Sequence, residues 1–388
     1  MDNAASTPLN KDVINEMLPF IKNDYGNPSS VHEKGRKVKL AIQNSRKRVA
    51  RLIGANSSEI FFTSGGTESN NLALKGFCEY LRETDEQRKQ IIISTIEHDT
   101  ILETSTFLKK YGFEIKFLDV DSHGIVEPSR FKNLLNEKTG LVSIMLANNE
   151  VGTIQPISEL AKITHDFDKN IFFHTDAVQG AGKIPIDVRE LDVDSLSISS
   201  HKIYGPKGVG ALYIKKSRKI HPLIHGGGQE SSMRSGTENV YGIVGFGKAA
   251  EISLKNLKKN FDYLKSSRDY LIKKILSNIS GTSLNGSHEV RLPNNVNITF
   301  LGVNGEELIV KLDEHGIEAS TGSACSTNKQ KSSHVLKAMG LDYEEISGSI
   351  RFSLGIQNTK EELDKTVEIL SVVIADLRDR SPFKIKYQ

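Results

Sequence analysis

The fold is decided by residues 194–214, which read DSLSISSHKIYGPKGVGALYI. Two β-rich runs, Asp194 to Ser199 and Gly210 to Ile214, flank the short turn Tyr204-Gly205-Pro206-Lys207-Gly208. A connection this short joins antiparallel neighbours, because parallel strands need a long crossover between them. The stretch therefore predicts a local antiparallel hairpin, with His201 and Lys202 directly after its first strand.

Outward from this hairpin, β-rich runs alternate with helical patterns along the chain. The earlier runs are Ile60 to Thr63, Ile91 to Thr95, Ile115 to Val120, Leu141 to Ala147 and Ile171 to Thr175. The helical patterns cover Glu68 to Glu83, Ile101 to Tyr111, Pro128 to Asn136 and Ser158 to Asp168. Most of the runs are nearly continuous apolar segments, which is typical of strands buried on both faces of a mainly parallel sheet. The alternation predicts an open α/β sheet with flanking helices.

The pattern changes after the glycine run Gly226-Gly227-Gly228. The segments that follow are a long charged helix from about Gly245 to Ile279, a strand from Asn295 to Phe300, and helices from about Gly305 to His315 and Lys360 to Leu377. This change indicates a second domain, which we expect to begin near residue 255, within the long helix.

Composition excludes several classes of protein. The 388 residues are 37% hydrophobic and 26% charged, as in globular proteins of two or three domains. A net charge of +3 gives no electrostatic reason to expect binding to nucleic acid or to a membrane surface. No apolar run is long enough to span a bilayer, and the N-terminus lacks the regions of a signal peptide. With only two cysteines, a disulfide framework is excluded, so we expect a cytoplasmic protein.

Candidate functional residues follow the predicted strands, because ligands of open α/β sheets bind outside the carboxyl ends of the strands. Ser64-Gly65-Gly66-Thr67 follows the first run and leads into a helix, so its main-chain amides can approach an anion. A tight turn capped by Thr67 explains the same residues, and for this motif alone the structural explanation is slightly favoured.

Three further polar groups stand at the same predicted edge: His98, Asp176 and Lys202. Each alone is explained by structure, since an isolated histidine is usually a satisfied polar group and an aspartate here is usually a helix cap. Together with the glycine turn they suit pyridoxal phosphate. A lysine can form a Schiff base with its aldehyde, a carboxylate can hold the pyridine nitrogen protonated, and the turn can bind the phosphate.

With these residues in view, the chain resembles the class V aminotransferase family of pyridoxal-phosphate enzymes, and within it the group I cysteine desulfurases of the NifS/IscS type. The matching motifs extend over nearly the whole chain. They include Asp2-Asn3-Ala4-Ala5, Gly26-Asn27-Pro28-Ser29-Ser30-Val31-His32, the stretch Phe62 to Asn71, Asn148-Asn149-Glu150-Val151-Gly152, Asp176 to Gln179, the stretch Ser200 to Gly208, Met233-Arg234-Ser235-Gly236-Thr237, Gly322-Ser323-Ala324-Cys325 and Ile350-Arg351-Phe352-Ser353-Leu354-Gly355.

The resemblance implies a fold and a domain division. The expected fold is that of a fold type I pyridoxal-phosphate transferase, with a mainly parallel seven-stranded sheet in the large domain and a smaller α+β domain. Residues 14–255 would form the large domain. Residues 1–13 and 256–388 would form the small domain, which would carry the segment with Cys325.

The resemblance also implies a role for each matching residue. Lys202 would be the Schiff-base lysine, Asp176 would pair with the pyridine nitrogen, Gln179 would bind the ring oxygen, and His98 would stack on the ring and transfer protons. The phosphate would be held by Gly66, Thr67, Ser199 and His201, with Thr237 reaching the phosphate of the neighbouring subunit in a homodimer. Asn149 and Arg351 would bind the substrate, the arginine through its carboxylate.

Cys325 distinguishes a desulfurase from an aminotransferase, which needs no catalytic thiol. It lies in a stretch with almost no apolar residues, so we expect a mobile, solvated loop with a reactive thiolate. Cys78 lies among Leu74, Phe77 and Leu81 in a helical pattern, which indicates a core residue. The expected reaction converts L-cysteine into L-alanine and leaves a persulfide on Cys325.

The expected sulfur acceptor is an iron–sulfur scaffold or a tRNA-thiolating enzyme. No metal site is predicted with certainty, and the resemblance leaves open a role for Cys325 as a transient ligand of an iron–sulfur cluster. Two alternatives on the same fold are a selenocysteine lyase and an aminotransferase, for which Cys325 would be dispensable. A third is a partner protein without catalysis, against which the presence of Lys202, Asp176, His98 and Cys325 argues.

Overall fold

The larger of two β-sheets follows the predicted alternation closely. The computed structural model describes residues 1–321 and 332–380. The strands of this sheet are β1 (Ile60–Thr63), β2 (Gln90–Ser94), β3 (Glu114–Leu118), β4 (Thr139–Ser143), β5 (Phe172–Asp176), β6 (Ser195–Ser199) and β7 (Gly210–Ile214). Their spatial order is β1-β7-β6-β5-β4-β2-β3. The five neighbouring strands β6, β5, β4, β2 and β3 are parallel to one another. Strand β7 is antiparallel to both of its neighbours, β6 and β1. The predicted hairpin is confirmed.

Helices cover both faces of this sheet and continue beyond it. They are α1 (Lys11–Lys22), α2 (Glu33–Leu52), α3 (Gly66–Thr84), α4 (Asp99–Lys109), α5 (Pro128–Leu134), α6 (Ile157–Phe167), α7 (Val188–Leu191), α8 (Val240–Asn278), α9 (Gly305–Glu314), α10 (His334–Ala338), α11 (Tyr343–Ser347) and α12 (Lys360–Arg380). In the part of the chain that the structure describes, no helix is long and apolar enough to cross a membrane.

The smaller sheet is antiparallel throughout. Its strands are β8 (Thr282–Leu284), β9 (Asn295–Phe300), β10 (Ser320–Thr321) and β11 (Ser349–Ser353), in the order β10-β11-β9-β8. The N-terminal segment, residues 1–7, joins this sheet to the larger one. Its Asp2 forms a β-bridge to Ser353, and the Thr7 amide donates to the carbonyl oxygen of His201.

Helix α8 contributes to the cores of both sheets. Its first half packs Ile243 and Phe246 into the apolar core of the larger sheet, whereas Leu271 and Ile275 belong to the core around the smaller sheet. The domain boundary predicted near residue 255 lies inside this continuous helix.

One strand differs from the expectation of burial on both faces. Strands β2 and β4 to β7 are buried at every position, but β3 is mostly exposed, including Phe117. The reason is its place at the edge of the sheet, where α4 and α5 cover it only partly. The elements that were not predicted are helices α1, α2, α7, α10 and α11 and strands β8, β10 and β11. In α2, numerous charges separate the buried Val38, Ile42 and Val49.

Candidate active site

A cavity of about 380 Å³ opens at the carboxyl ends of the central parallel strands. A volume of this size suits a small cofactor with its substrate. Most of the predicted site residues line it: Gly66, Thr67, His98, Asn149, Asp176, Gln179, Ser199, His201, Lys202 and Arg351. The structure therefore brings together groups that are as much as 285 residues apart (351 − 66) in the sequence.

Asp176 ends β5 and is almost fully buried, at 6% exposure. One carboxylate oxygen accepts from Asn70 Nδ2 at 2.6 Å, and the other accepts from the Val178 amide at 2.9 Å. Asn70 also contacts His174, whose pKa is lowered to about 3 by burial, so that this imidazole is neutral. A buried carboxylate that is oriented in this way can hold a proton on a pyridine nitrogen. Asn70 was not predicted, because its motif position gave no reason to assign it a partner.

His98 is the N-cap residue of α4 and lines the cavity. Its Nδ1 accepts from the Thr100 amide at 3.1 Å. Since a main-chain amide can only donate, a neutral His98 carries its hydrogen on Nε2. The cap thus fixes both the position and the tautomer of the ring.

The turn before α3 forms the end of the cavity that suits an anion. Helix α3 is 19 residues long and starts at Gly66, and its N-cap Gly65 has no side chain to cap the helix. Thr67 is therefore not the cap, which corrects that alternative. A Cβ on Gly66 would lie 2.8 Å from Val178 Cγ2, so glycine is required for this close approach. The exposed helix N-terminus leaves main-chain N–H groups for a phosphate.

The charges beside this turn also favour an anion. Burial and the nearby charges of Lys202, Lys207 and Lys183 lower the pKa of His201 to about 4. Burial makes the larger contribution, and the three lysines supply positive charge that a phosphate would neutralise. With buried Asp176 also lining it, the cavity fits pyridoxal phosphate.

Lys202 follows β6 in a short 3₁₀ turn, Ser200–Lys202. Its Nζ donates to the main-chain oxygens of Ala4 and Ala5, the latter at 2.8 Å. The N-terminal segment thereby forms one wall of the cavity and holds the ammonium at its edge. The sequence identified Ala4 and Ala5 as part of a motif, but it did not predict their contact with Lys202.

Arg351 in β11 provides the cationic group on the side of the smaller sheet. The residue is 3% exposed, and its guanidinium donates to the Asn149 carbonyl oxygen at 3.0 Å and to Asp2 Oδ1 at 2.9 Å. Its Nε is buried and has no hydrogen-bond partner among the described residues. An unsatisfied buried donor is costly, and a substrate carboxylate would satisfy it.

Two buried carboxyl groups behind the cavity were not predicted. Glu97 is fully buried, and burial raises its pKa to about 8. Burial also raises the pKa of Glu150 to about 7, and this side chain accepts from Ser333 Oγ at 2.5 Å. Nothing in the local sequence separates such carboxyl groups from exposed ones, because their burial depends on contacts with distant elements.

The remaining predicted site residues are Thr237 and Cys325. Thr237 is exposed and does not line the cavity, so it makes no contribution within one subunit. Cys325 lies outside the described residues, and so does the expectation of a mobile loop around it. The residues on either side are placed near the cavity: Ser320 pairs with Arg351, and His334 Nε2 contacts the Glu97 carbonyl oxygen at 2.9 Å.

Cys78 is a core residue, as predicted. It is 1% exposed in α3, and burial raises the pKa of its thiol well above the usual value. A thiol of this kind is a poor nucleophile. Among residues 1–321 and 332–380, no cluster of three or more histidine, cysteine, aspartate or glutamate side chains could hold a metal ion.

Comparison with known proteins gives consistent results. The aminotransferase class-V family matches residues 1–366. The chain is 52% identical over 388 residues to Cysteine desulfurase IscS of Dictyoglomus turgidum, covering 100% of this chain and 97% of that protein. It is 48% identical over 386 residues to Cysteine desulfurase IscS of Methanosarcina thermophila, with 100% and 94% covered.

Solved structures show the same similarity. A NifS-like protein superimposes with a TM-score of 0.91 at 40% identity, covering 97% of this chain and 98% of that one. A structure described as SspA in complex with cysteine gives a TM-score of 0.80 at 37% identity, covering 91% and 97%.

Proposed function

The chain belongs to the aminotransferase class-V family and is a pyridoxal-phosphate-dependent cysteine desulfurase, and we propose that Cys325 takes up the sulfur of the substrate. The observation that carries the activity is 52% identity over the whole chain to a cysteine desulfurase. The cavity supports it, since a buried carboxylate, a lysine and a helix N-terminus surround a space that suits the cofactor.

The residues of the cavity take distinct roles in this proposal. Asp176 would pair with the pyridine nitrogen of the cofactor, Gln179 would bind its ring oxygen, and Gly66, Thr67, Ser199 and His201 would bind its phosphate. Lys202 would attach the cofactor and transfer protons at the substrate, while His98 would stack on the ring. When bound, pyridoxal phosphate withdraws electrons from the amino acid and so weakens its bond to sulfur.

Substrate binding and sulfur transfer use groups on the side of the smaller sheet. Arg351 binds the carboxylate of L-cysteine through its unsatisfied N–H group, and Asn149 lies beside it. The Cys325 thiolate then attacks the substrate sulfur. A sulfur–sulfur bond forms, the carbon–sulfur bond breaks with its electron pair left on carbon, and a proton on that carbon completes L-alanine. The persulfide on Cys325 passes to an acceptor.

The length of chain between the described strand β10 and Cys325 is compatible with this role. It lies four residues after Thr321, which pairs with Ile350 next to Arg351. Four residues span at most about 14 Å when fully extended, which bounds its distance from the described strand. The related structure described as a complex with cysteine supports this amino acid as the substrate.

Further proposals concern the organisation of the protein. We propose a homodimer in which Thr237 reaches the phosphate of the second subunit, consistent with its exposure outside the cavity. We propose a cytoplasmic location. The proposed sulfur acceptor is an iron–sulfur scaffold or a tRNA-thiolating enzyme. The proposal also allows Cys325 to act as a transient ligand of an iron–sulfur cluster. The division into residues 14–255 and residues 1–13 with 256–388 is also a proposal, supported by the separate cores of the two sheets.

Alanine release from L-cysteine tests the role of Lys202. We expect Lys202→Ala to abolish turnover and to leave the fold intact, because the anchor of the cofactor and a proton-transfer group are lost together. Lys219→Ala is the matched control, since this lysine is exposed and does not line the cavity. Alanine release from Lys202→Ala at the wild-type rate would refute the assignment.

A further inference from the structure

Lys183 is a buried cation behind the cavity that the proposed reaction does not use. It lies in the turn after β5, is 7% exposed and forms no ion pair in the described part of the chain. Its Nζ donates to the carbonyl oxygen of Gln179 at 2.9 Å and to Gln179 Oε1 at 3.4 Å. Burial and the charge of Lys202 lower the pKa of Lys183 to about 7. Retaining an ammonium here costs free energy, which points to a purpose beyond packing.

Contacts with Lys183 and with Ala4 together orient the Gln179 amide. The oxygen and nitrogen of such an amide are distinguished only by their hydrogen-bond partners. Below its pKa of about 7, Lys183 is an ammonium with three donors and no acceptor, so the atom facing it is then the oxygen. The nitrogen then faces the other way, where Nε2 donates to the Ala4 carbonyl oxygen at 3.0 Å. One N–H of Gln179 is used in this bond, and the second is left for the cavity that the residue lines.

We propose that Lys183 is a positioning residue, which holds the Gln179 amide so that an N–H group faces the ring oxygen of the cofactor. This inference rests on the proposed contact between Gln179 and that oxygen. A donor directed at the oxygen stabilises its deprotonated form and so lowers the pKa of the bound cofactor. Lys183 itself does not line the cavity and acts through Gln179.

Other charged groups around this position come from several elements and stay unchanged in the test below. They are Asp2 of the N-terminal segment, His98 of α4, Asp176 of β5, His201 and Lys202 after β6, Lys207 of the hairpin turn and Arg351 of β11.

The test is a pH titration of the visible absorption of the purified holoenzyme without substrate. The proteins are wild type, Lys183→Met, Gln179→Ala and the double variant. We expect Lys183→Met and Gln179→Ala each to raise the midpoint by about half to one pH unit, the effect of one lost hydrogen bond. The double variant should match Gln179→Ala alone, because Lys183 acts only through that amide.

Controls separate the possible failures. Lys219→Met removes an exposed lysine that does not line the cavity and should leave the midpoint unchanged, and Lys183→Leu repeats the test if the methionine variant does not fold. An unchanged midpoint in folded Lys183→Met would overturn the proposal. An additive shift in the double variant would overturn it too, since Lys183 would then act by its own charge. Failure of the wild type to bind pyridoxal phosphate would instead contradict the function itself.

Discussion

At the scale of single residues, the site depends on buried polar groups whose partners lie far away in the sequence. Asp176 is oriented by Asn70, 106 positions earlier, and Arg351 reaches the Asn149 carbonyl oxygen, 202 positions earlier. The chemical type of each group was predictable from its motif. Its partners were not, because they depend on how the strands are ordered in the sheet.

Arg351→Lys tests the carboxylate contact. An ammonium cannot reproduce the directed N–H groups of a guanidinium, so we expect a raised KM for L-cysteine, with cofactor absorption unchanged. If Arg351 were no more than the partner of Asp2, the variant would lose stability and KM would stay the same. Steady-state alanine release measures KM.

Arg218→Lys is the control for this variant. Arg218 is also largely buried and pairs with Asp194, but it lies away from the cavity. A rise of KM in both variants would show that the effect is general and would argue against substrate binding by Arg351.

At the scale of elements, the regular alternation of buried strands and helices was predictable from the sequence. The elements that were missed or misplaced are those with a weak sequence signal. Strand β9 was predicted with its observed bounds, because Asn295–Phe300 is buried at every position. Strand β10 has only two residues, too few for any periodicity. The start of α3 was also misjudged, since a glycine N-cap leaves no side-chain signal.

Ser333→Ala tests the element that follows the segment with Cys325. Ser333 caps α10 by accepting from the Leu336 amide at 3.1 Å and donates to buried Glu150. Its loss should cost about 1 kcal/mol in the free energy of unfolding and should also slow alanine release. Denaturant unfolding and the alanine assay measure the two effects.

Asn10→Ala is the matched cap variant. Asn10 caps α1 by accepting from the Asp12 amide at 2.8 Å, at an exposed position. We expect a similar loss of stability with normal alanine release. Equal kinetic effects of the two variants would contradict a specific role for Ser333.

At the scale of the whole molecule, Glu97 links stability to pH. Its pKa is raised to about 8 in the folded protein by burial, from an ordinary value of 4.5. Protonated Glu97 therefore favours the folded state. This contribution is complete below pH 4.5 and is lost as the pH rises toward 8.

Glu97→Gln should remove this dependence. The neutral amide oxygen can still accept from Ser94 Oγ and the Met145 amide. As the pH rises from 5 to 8, the free energy of unfolding of the variant should increase relative to that of wild type by up to a few kcal/mol, on the order expected from a shift of this size. Urea unfolding at the two pH values measures it. If the free energies of unfolding of variant and wild type differed by the same amount at both pH values, Glu97 would not titrate in this range.

The most direct test of the account is the mass of the peptide that contains Cys325 after incubation with L-cysteine. Wild type and Cys78→Ser should both gain about 32 Da on this peptide, one added sulfur. Cys325→Ser should still bind pyridoxal phosphate but should gain no mass and release no stoichiometric alanine, because a hydroxyl does not attack sulfur usefully at neutral pH. A persulfide found only on Cys78, or normal alanine release from Cys325→Ser, would contradict sulfur transfer to Cys325.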